Sequence, residues 1–192
     1  AYELLGIPMN GKEEIGAKKK YALINKDSRM KIIGFETIRR NWSFLAKTTQ
    51  LKVLEIILRE GRVDKAFLYV KDIIKNIREK NIPLNEFVIR TKSQKDIDNY
   101  LAIGPHVEVA RRMLQKGMNI GRGSIISYIV VPGKGNIRDH AKTLEECKEG
   151  EYDSEYYIQN QILPAVERIL EAGGYSKEEI LGISKQKSLS DF

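Results

Sequence analysis

An apolar stripe between residues 63 and 80 constrains the fold of this chain more than any other stretch of its sequence. Apolar side chains recur there every three or four residues, and Lys, Asp and Arg occupy the positions between them. This spacing puts the apolar side chains on one face of an α-helix. The members of the stripe are Val63, Ala66, Phe67, Val70, Ile73, Ile74 and Ile77. The pattern predicts an amphipathic helix that ends at the Asn81-Ile82-Pro83 segment.

Other segments also have helical signals. The predicted helices span residues 42–60, where Gly61 ends the helix, residues 94–102, residues 106–116 and a long segment that begins near Asp153. Pro164 lies inside the last helix and predicts a kink or break there, because proline has no backbone N–H. Ser176 and Glu179 have the spacing of a capping box, which predicts a final helical turn.

The β-structure is predicted to be small. A hairpin is predicted over residues 17–35, with strands Tyr21–Ile24 and Met30–Phe35 joined by the turn-forming segment Asn25–Ser28. Phe87–Ile89 predicts a short extended piece, and Ile125–Val131 predicts a further strand. The fold class predicted from these signals is mainly α with small β elements (α+β), with a β-hairpin followed by a helical body.

The charge of the chain favours an anionic partner. Its 192 residues include 33 Lys and Arg against 26 Asp and Glu, which gives a formal net charge of +7. Such a charge favours polyanions such as nucleic acid, although many basic proteins bind none. Cys147 is the one cysteine, which excludes an internal disulfide and favours a reducing compartment. No apolar run reaches a membrane-spanning length, so we expect a cytoplasmic protein with no membrane partner.

Residues for metal or nucleophilic chemistry are few. His106 and His140 are the two histidines, and neither stands at ligand spacing from the other or from Cys147, so no zinc site is predicted. Asp96 and Asp98 have the look of a two-metal carboxylate pair. In the helix predicted there, residues two apart point in different directions. We interpret this pair as a solvated helix face.

Three lysines and a tyrosine, Lys18 to Tyr21, open the first predicted strand. They form a compact cationic patch with one rigid ring. Lysines also commonly protect strand edges from aggregation, and the run taken alone favours that structural interpretation over a binding site. The segments that follow the run change this balance.

Residues 17–50, AKKKYALINKDSRMKIIGFETIRRNWSFLAKTTQ, resemble the end of the palm and the start of the thumb in archaeal family B DNA polymerases. Later segments are similar to that family's thumb in the same order: TKSQKDIDNYLAIGPHVEVARRML, GSIISYIV and YDSEYYIQNQILPAVERIL. Pro164 stands where the family usually has proline, whereas Asn41 stands where it commonly has an acidic residue. The resemblance extends from about residue 15 to residue 182, and this length makes it more specific than any short motif.

The resemblance implies three parts and a role in DNA replication. Residues 1–36 are expected to be a palm-derived β-hairpin, residues 37–182 a mostly helical polymerase thumb, and residues 183–192 a flexible tail. The family's metal-binding aspartates lie upstream of the KKKY region and are not in this sequence. We therefore expect no cofactor on this chain and no activity of the chain alone. A large catalytic chain is expected to carry Mg²⁺ and to have its active site completed by this one.

Several origins and functions stay open. The chain is either the small subunit of a divided polymerase, in a heterodimer with the large chain, or a C-terminal fragment of a longer one. A stand-alone nucleic-acid-binding protein that reuses the thumb fold is the alternative function. A complete nucleotidyltransferase using Asp96 and Asp98 is a third hypothesis, which predicts primer extension by the isolated chain.

The resemblance also implies DNA-contacting residues. Lys19 and Tyr21, of the family's K-x-Y motif, are expected to reach the primer strand in the minor groove, where every base pair presents an acceptor. Lys18 and Lys20 are expected to attract phosphates. The expected contacts of the thumb are Arg39, Arg40, Thr48, Gln50, Thr91, Lys92, Ser93 and Asn160.

The last seven residues resemble a sliding-clamp-binding peptide of the form Q-x-x-L-x-x-F. Gln186, Leu189 and Phe192 match its key positions, and the usual second aromatic residue is missing. The same pattern occurs once inside the thumb segment. A free polar terminus can insert two apolar side chains into a partner pocket, whereas a packed segment cannot. The tail therefore predicts a sliding clamp as a further partner.

Overall fold

The molecule has a helical body and two small sheets. One sheet precedes the helices in the chain, and the other is formed by strands that lie between them. The computed structural model describes residues 3–4, 21–25, 29–35 and 41–183. The helices are α1 (Phe44–Glu60), α2 (Val63–Arg78), α3 (Pro105–Gln115), α4 (Ser154–Tyr157), α5 (Leu163–Ala172) and α6 (Lys177–Leu181). The strands are β1 (Glu3–Leu4), β2 (Tyr21–Ile24), β3 (Met30–Ile33), β4 (Ile89–Lys92), β5 (Ile125–Val130) and β6 (Ala141–Lys142). This architecture agrees with the predicted class of helices with small β elements.

The first sheet is a hairpin with one extra strand. β2 pairs antiparallel with β3, so that Tyr21 lies opposite Ile33. β3 ends at Ile33 rather than at Phe35, which is buried. Asn25 closes the turn, because its Oδ1 accepts a hydrogen bond from Arg29 N at 2.6 Å. β1 pairs with the other edge of β2, and this strand was not predicted.

α1 and α2 form a helical hairpin around Gly61. The Ser43 hydroxyl caps α1 by accepting from Ala46 N at 3.3 Å. Gly61 has a φ of 65°, the left-handed conformation that glycine adopts without a steric penalty, and its N–H bonds to Ile57 O. The two helices can therefore turn back on each other within two residues.

α2 confirms the helix predicted from the apolar stripe. The side chains that it buries are Ala66, Val70, Ile74 and Ile77, and Val63, Phe67 and Ile73 pack half-buried against the same core. The helix ends at Arg78, two residues before the predicted end. The predicted capping box of Ser176 and Glu179 is also present, at the start of α6.

The segment between α2 and α3 differs from the prediction. Leu84–Phe87 is a 3₁₀ turn, and the extended piece follows it as β4. The helix predicted over residues 94–102 is wrong, because only Ile97–Asn99 form a 3₁₀ turn there. Side chains bond to the backbone in this segment, for example the Tyr100 hydroxyl, which accepts from Gln94 N at 2.8 Å. Such local bonds compete with the helical pattern.

α4 and α5 are joined by a π turn, Ile158–Ile162, into one helical segment that begins after Asp153. At the end of this turn Leu163 N–H bonds to Ile158 O, five residues back. Pro164 follows immediately and has no N–H to donate to the preceding turn. The kink or break predicted at Pro164 is therefore a widened turn, beyond which the helix continues.

Aromatic rings join the helical body to the second sheet, in which β5 lies between β4 and β6. Phe87 stacks on Tyr152 with 3.6 Å between centroids and meets Tyr157 edge-on at 4.8 Å. The buried Tyr157 hydroxyl donates to Phe87 O at 2.8 Å and accepts from Val130 N at 3.1 Å. Burial raises the pKa of Tyr157 well above its ordinary value. The hydroxyl therefore remains a neutral donor that fixes the sheet on α4.

The buried core is continuous along the described residues. It extends from Ala22 and Phe35 of the N-terminal part to Leu181 of α6. The division predicted between residues 36 and 37 stays a prediction. Within the described ranges, no helix combines the length and the apolar character needed to cross a membrane.

Gly173 lets α5 approach the start of α2 closely. Its φ of −88° suits any residue, but a Cβ there would lie 2.2 Å from Val63 Cγ1. We expect Gly173→Ala to lower the free energy of unfolding by about 1–3 kcal/mol, the usual cost of overpacking, as measured by urea denaturation. In a Val63→Ala background the same change should cost much less. Equal costs in both backgrounds would contradict the predicted clash.

Candidate nucleic-acid interface

β4 presents two basic side chains on the outer face of its sheet. Successive side chains of a strand point to opposite faces, so Arg90 and Lys92 lie on one face and Ile89 and Thr91 on the other. Arg90 and Lys92 are exposed, whereas Ile89 is buried. β4 therefore carries two cations, one residue apart, on the face that points away from the core.

Lys47, in the first turn of α1, brings a third cation close to this face. Partial burial lowers the pKa of its ammonium group, and the nearby positive charge of Arg90 lowers the pKa further. Two cations so close together repel each other. An anion that contacts both would remove this repulsion, so the pair favours an anionic ligand.

Two turns extend the basic face beyond the end of β4. The Lys92 side chain runs over Gly123, where a Cβ would lie 3.8 Å from the Lys92 Cε. Gly123 N donates to Ser93 O at 2.9 Å, which joins the two turns. Lys95 and Arg122 are exposed in them. We define the basic surface as Lys47, Arg90, Lys92, Lys95 and Arg122.

The cations of the basic surface differ from many other Lys and Arg side chains in the described ranges, which form ion pairs. None of the five forms an ion pair within the part of the chain that the structure describes. Elsewhere, Lys65 pairs with Glu60 at 2.7 Å and Lys142 pairs with Glu151 at 2.6 Å. The basic surface therefore keeps its positive charge available to a polyanion.

The Tyr100 hydroxyl holds the turn after β4. It accepts from Gln94 N at 2.8 Å and from Lys95 N at 3.4 Å. It is also hydrogen-bonded to Ser93 Oγ at 3.3 Å, and Ser93 Oγ contacts Lys95 O as well. The hydrogen bond with Ser93, followed by those from the backbone N–H groups, lowers the pKa of Tyr100. His106 meets the Tyr100 ring edge-on at 5.5 Å, and burial lowers the pKa of its imidazole.

Asp96 joins the two turns. Its Oδ1 accepts from Arg122 N at 3.0 Å, and its side chain does not cap its own 3₁₀ turn. Interpreting Asp96 and Asp98 as a solvated helix face is therefore wrong for Asp96, because no α-helix forms there and the carboxylate bonds to backbone. Among the described residues, no group of three or more His, Cys, Asp or Glu could hold a metal ion.

Three of the predicted DNA contacts have other partners. Gln50 is fully buried, and its Nε2 donates to Ala165 O, which fastens α1 to α5. Ser93 is 1% exposed and belongs to the Tyr100 network. Thr91 lies on the face opposite Lys92, where burial raises the pKa of Tyr128 and the Thr91 hydroxyl partly offsets this rise. We therefore leave Gln50 and Ser93 out of the proposed contact set, since buried side chains cannot reach a duplex.

Other predicted contacts are accessible, and Lys92 is the one that lies in the basic surface. Tyr21 and Thr48 are half-buried, and Asn160 is exposed on the π turn. The Thr48 hydroxyl donates to two main-chain carbonyl groups of α1, and Asn160 Nδ2 donates to Tyr156 O at 3.1 Å. The predicted residues outside the described ranges are Lys18, Lys19, Lys20, Arg39, Arg40, Gln186, Leu189 and Phe192.

Four members of the basic surface were not among the contacts predicted from the sequence: Lys47, Arg90, Lys95 and Arg122. The alternation of a strand at residues 89–92 puts Arg90 beside Lys92 on one face, but the sequence signal places the extended piece at residues 87–89. Arg122 stands between two glycines, which predicts only a turn. Lys47 has no signal besides its place next to Thr48.

The sequence profile of DNA polymerase family B matches residues 15–172. The chain belongs to this family. It is 49% identical over 166 residues to the DNA polymerase of Thermococcus aggregans, which covers 85% of this chain and 9% of that protein. It is 45% identical over 165 residues to the DNA polymerase of Thermococcus gorgonarius, which covers 85% of this chain and 21% of that protein.

The fold comparison points to the same family. The structure of the family B DNA polymerase from the hyperthermophilic archaeon Pyrobaculum calidifontis is similar with a TM-score of 0.68 and 33% identity, over 80% of this chain and 20% of that one. The resemblance seen in the sequence is thereby confirmed. The chain spans about a tenth to a fifth of the length of these relatives, so it corresponds to one region of a family B DNA polymerase sequence.

Proposed function

We propose that this chain is the small subunit, or the C-terminal part, of a family B DNA-directed DNA polymerase and that it grips the primer-template duplex. A large catalytic chain supplies the nucleotidyl-transfer chemistry and its Mg²⁺, and this chain completes that active site during DNA replication. The observation that carries the proposal is the basic surface, whose exposed Arg90 and Lys92 form no ion pair among the described residues.

Phosphate is the group that best suits this surface. Contacts to phosphates hold a duplex in register without reading its sequence, as copying of any template requires. The guanidinium of Arg90 can bind two phosphate oxygens at once, whereas Lys92 acts as a point charge. The repulsion between Lys47 and Arg90 is removed when a phosphate contacts both.

A second mode of contact in the proposal is minor-groove recognition by the K-x-Y motif. Lys19 and Tyr21 would accept any Watson–Crick pair, because each presents an acceptor at the same place in the groove. Tyr21 stands at the start of β2, and Lys18, Lys19 and Lys20 lie outside the described residues. The support for this mode is the sequence resemblance.

The proposal also covers the organisation and partners of the chain. Residues 1–36 complete the palm, residues 37–182 form the thumb, and residues 183–192 bind a sliding clamp through Gln186, Leu189 and Phe192. In the subunit form of the proposal, this chain forms a heterodimer with a large catalytic chain. Its place in the cell is then at the DNA, in the nucleoid.

Primer extension separates the subunit proposal from a stand-alone binding protein. We expect this chain alone with Mg²⁺ to give no extension, a candidate large chain alone to give little, and the two together to give much more. The reason is that neither chain contains both the catalytic carboxylates and the residues that bind the duplex. The measurement is nucleotide incorporation on a labelled primer-template. Extension by the isolated chain would overturn the proposal, and an equal rate for the large chain with and without this one would favour the stand-alone protein.

The salt dependence of duplex binding tests the basic surface. We expect Arg90→Ala and Lys92→Ala each to reduce the slope of log K against log [KCl] by about 0.9, which is about an eightfold loss of affinity at 0.1 M salt. The measurement is fluorescence anisotropy of a labelled duplex with the 192-residue chain.

The matched control is Lys65→Ala, which removes the same charge from a lysine that is paired with Glu60. It should leave the slope nearly unchanged. A loss as large as that of Lys92→Ala would mean that overall charge, and not this surface, determines binding.

A further inference from the structure

The basic surface ends in a turn whose conformation is fixed by side chains. Residues 121–124 close on themselves, because Ser124 N donates to Gly121 O at 3.1 Å and Gly121 N donates to Ser124 Oγ at 3.1 Å. Gly123 has a φ of 91°, a conformation that other residues rarely adopt. Arg122 therefore stands at the tip of a well-defined turn.

A carboxylate ties this turn to the neighbouring one. Asp96 Oδ1 accepts from Arg122 N at 3.0 Å and lies 3.5 Å from the position of a Cβ at Gly121. The bond uses the backbone of Arg122 and leaves its guanidinium free. The Arg122 side chain is exposed and forms no ion pair among the described residues. Lys92 lies over the same turn, at Gly123.

A negative charge beside a surface that binds phosphate is unfavourable unless it does something that a neutral residue would not. Asp96 carries that charge at the edge of the basic surface, and its carboxylate holds Arg122 N. A carboxylate is a strong hydrogen-bond acceptor, and here it accepts from Arg122 N at the tip of the turn. Asp96 therefore holds the turn in place.

We propose that Arg122 is a phosphate-binding residue of the duplex interface and that Asp96 is its positioning residue. This inference rests on the proposed function. The ligand is the phosphodiester backbone of the primer-template, which Arg122 and Lys92 contact together from either side of the Gly123 backbone. Asp96 makes no contact with DNA and acts through the turn.

The test is anisotropy of a fluorescent primer-template duplex, titrated with the 192-residue chain alone and with its large chain, over a series of KCl concentrations. Arg122→Ala is expected to reduce the slope of log K against log [KCl] by about 0.9, an eightfold loss at about 0.1 M salt. Asp96→Ala is expected to give a similar loss although it removes a negative charge. The double variant should then lose little more than either single variant, because both changes disable one contact.

Two controls separate positioning from charge. Asp98→Ala removes the same charge two residues away and should raise the affinity slightly, because it removes repulsion. Asp96→Asn keeps an oxygen that can accept from Arg122 N, so it should bind as well as the wild type or better. Circular dichroism of each variant establishes that the fold is intact, and Arg122→Ala tests the phosphate contact even if Asp96→Ala does not fold.

The outcomes are distinct. If the wild-type chain fails to bind duplex in either form, the proposed function falls and this inference falls with it. If the wild type binds but Arg122→Ala has the wild-type slope, the inference alone is overturned. If Asp96→Ala binds more tightly, as Asp98→Ala does, Asp96 is not a positioning residue.

Discussion

The second sheet depends on the buried hydroxyl of Tyr157. This one group donates to Phe87 O at 2.8 Å and accepts from Val130 N at 3.1 Å, so it connects α4 with the segment before β4 and with the end of β5. A buried polar group that loses its partner costs about 1–3 kcal/mol, and here two backbone groups depend on the same hydroxyl. The position of Arg90 and Lys92 on the helical body follows from this connection, because both belong to the strand that begins just after Phe87.

The periodic spacing of apolar side chains made part of this fold predictable. The remaining part depends on side-chain hydrogen bonds that no periodic pattern indicates. The stripe from Ala66 to Ile77 determines α2, since one face of the helix must leave water. The bond from Arg122 N to Asp96 Oδ1 joins residues 26 positions apart in the sequence, and no local pattern predicts it. The helix predicted over residues 94–102 is absent for a local reason, because the Tyr100 hydroxyl accepts from two backbone N–H groups of that same segment.

Residues near the predicted thumb contacts also divide into those that pack in the core and those that lie near the basic surface. Gln50 has the helical spacing of Ala46, Val53 and Leu54, and all four are buried in α1. That periodicity indicates a core position, whereas the family resemblance implied a DNA contact. The amide donates to Ala165 O inside the core. Lys47 belongs to the same AKTTQ segment but lies near Arg90. This segment therefore supplies a core residue and a surface charge within one turn of helix.

The central claim is that the five cations of the basic surface face the duplex, whereas the ion-paired Lys65 and Lys142 do not. Acetylation of lysines in the 192-residue chain, followed by mass spectrometry with and without primer-template, tests it directly. The account predicts that duplex lowers the reactivity of Lys47, Lys92 and Lys95 and leaves that of Lys65 and Lys142 unchanged. Protection of Lys65 and Lys142 while Lys47 and Lys92 stay reactive would contradict it.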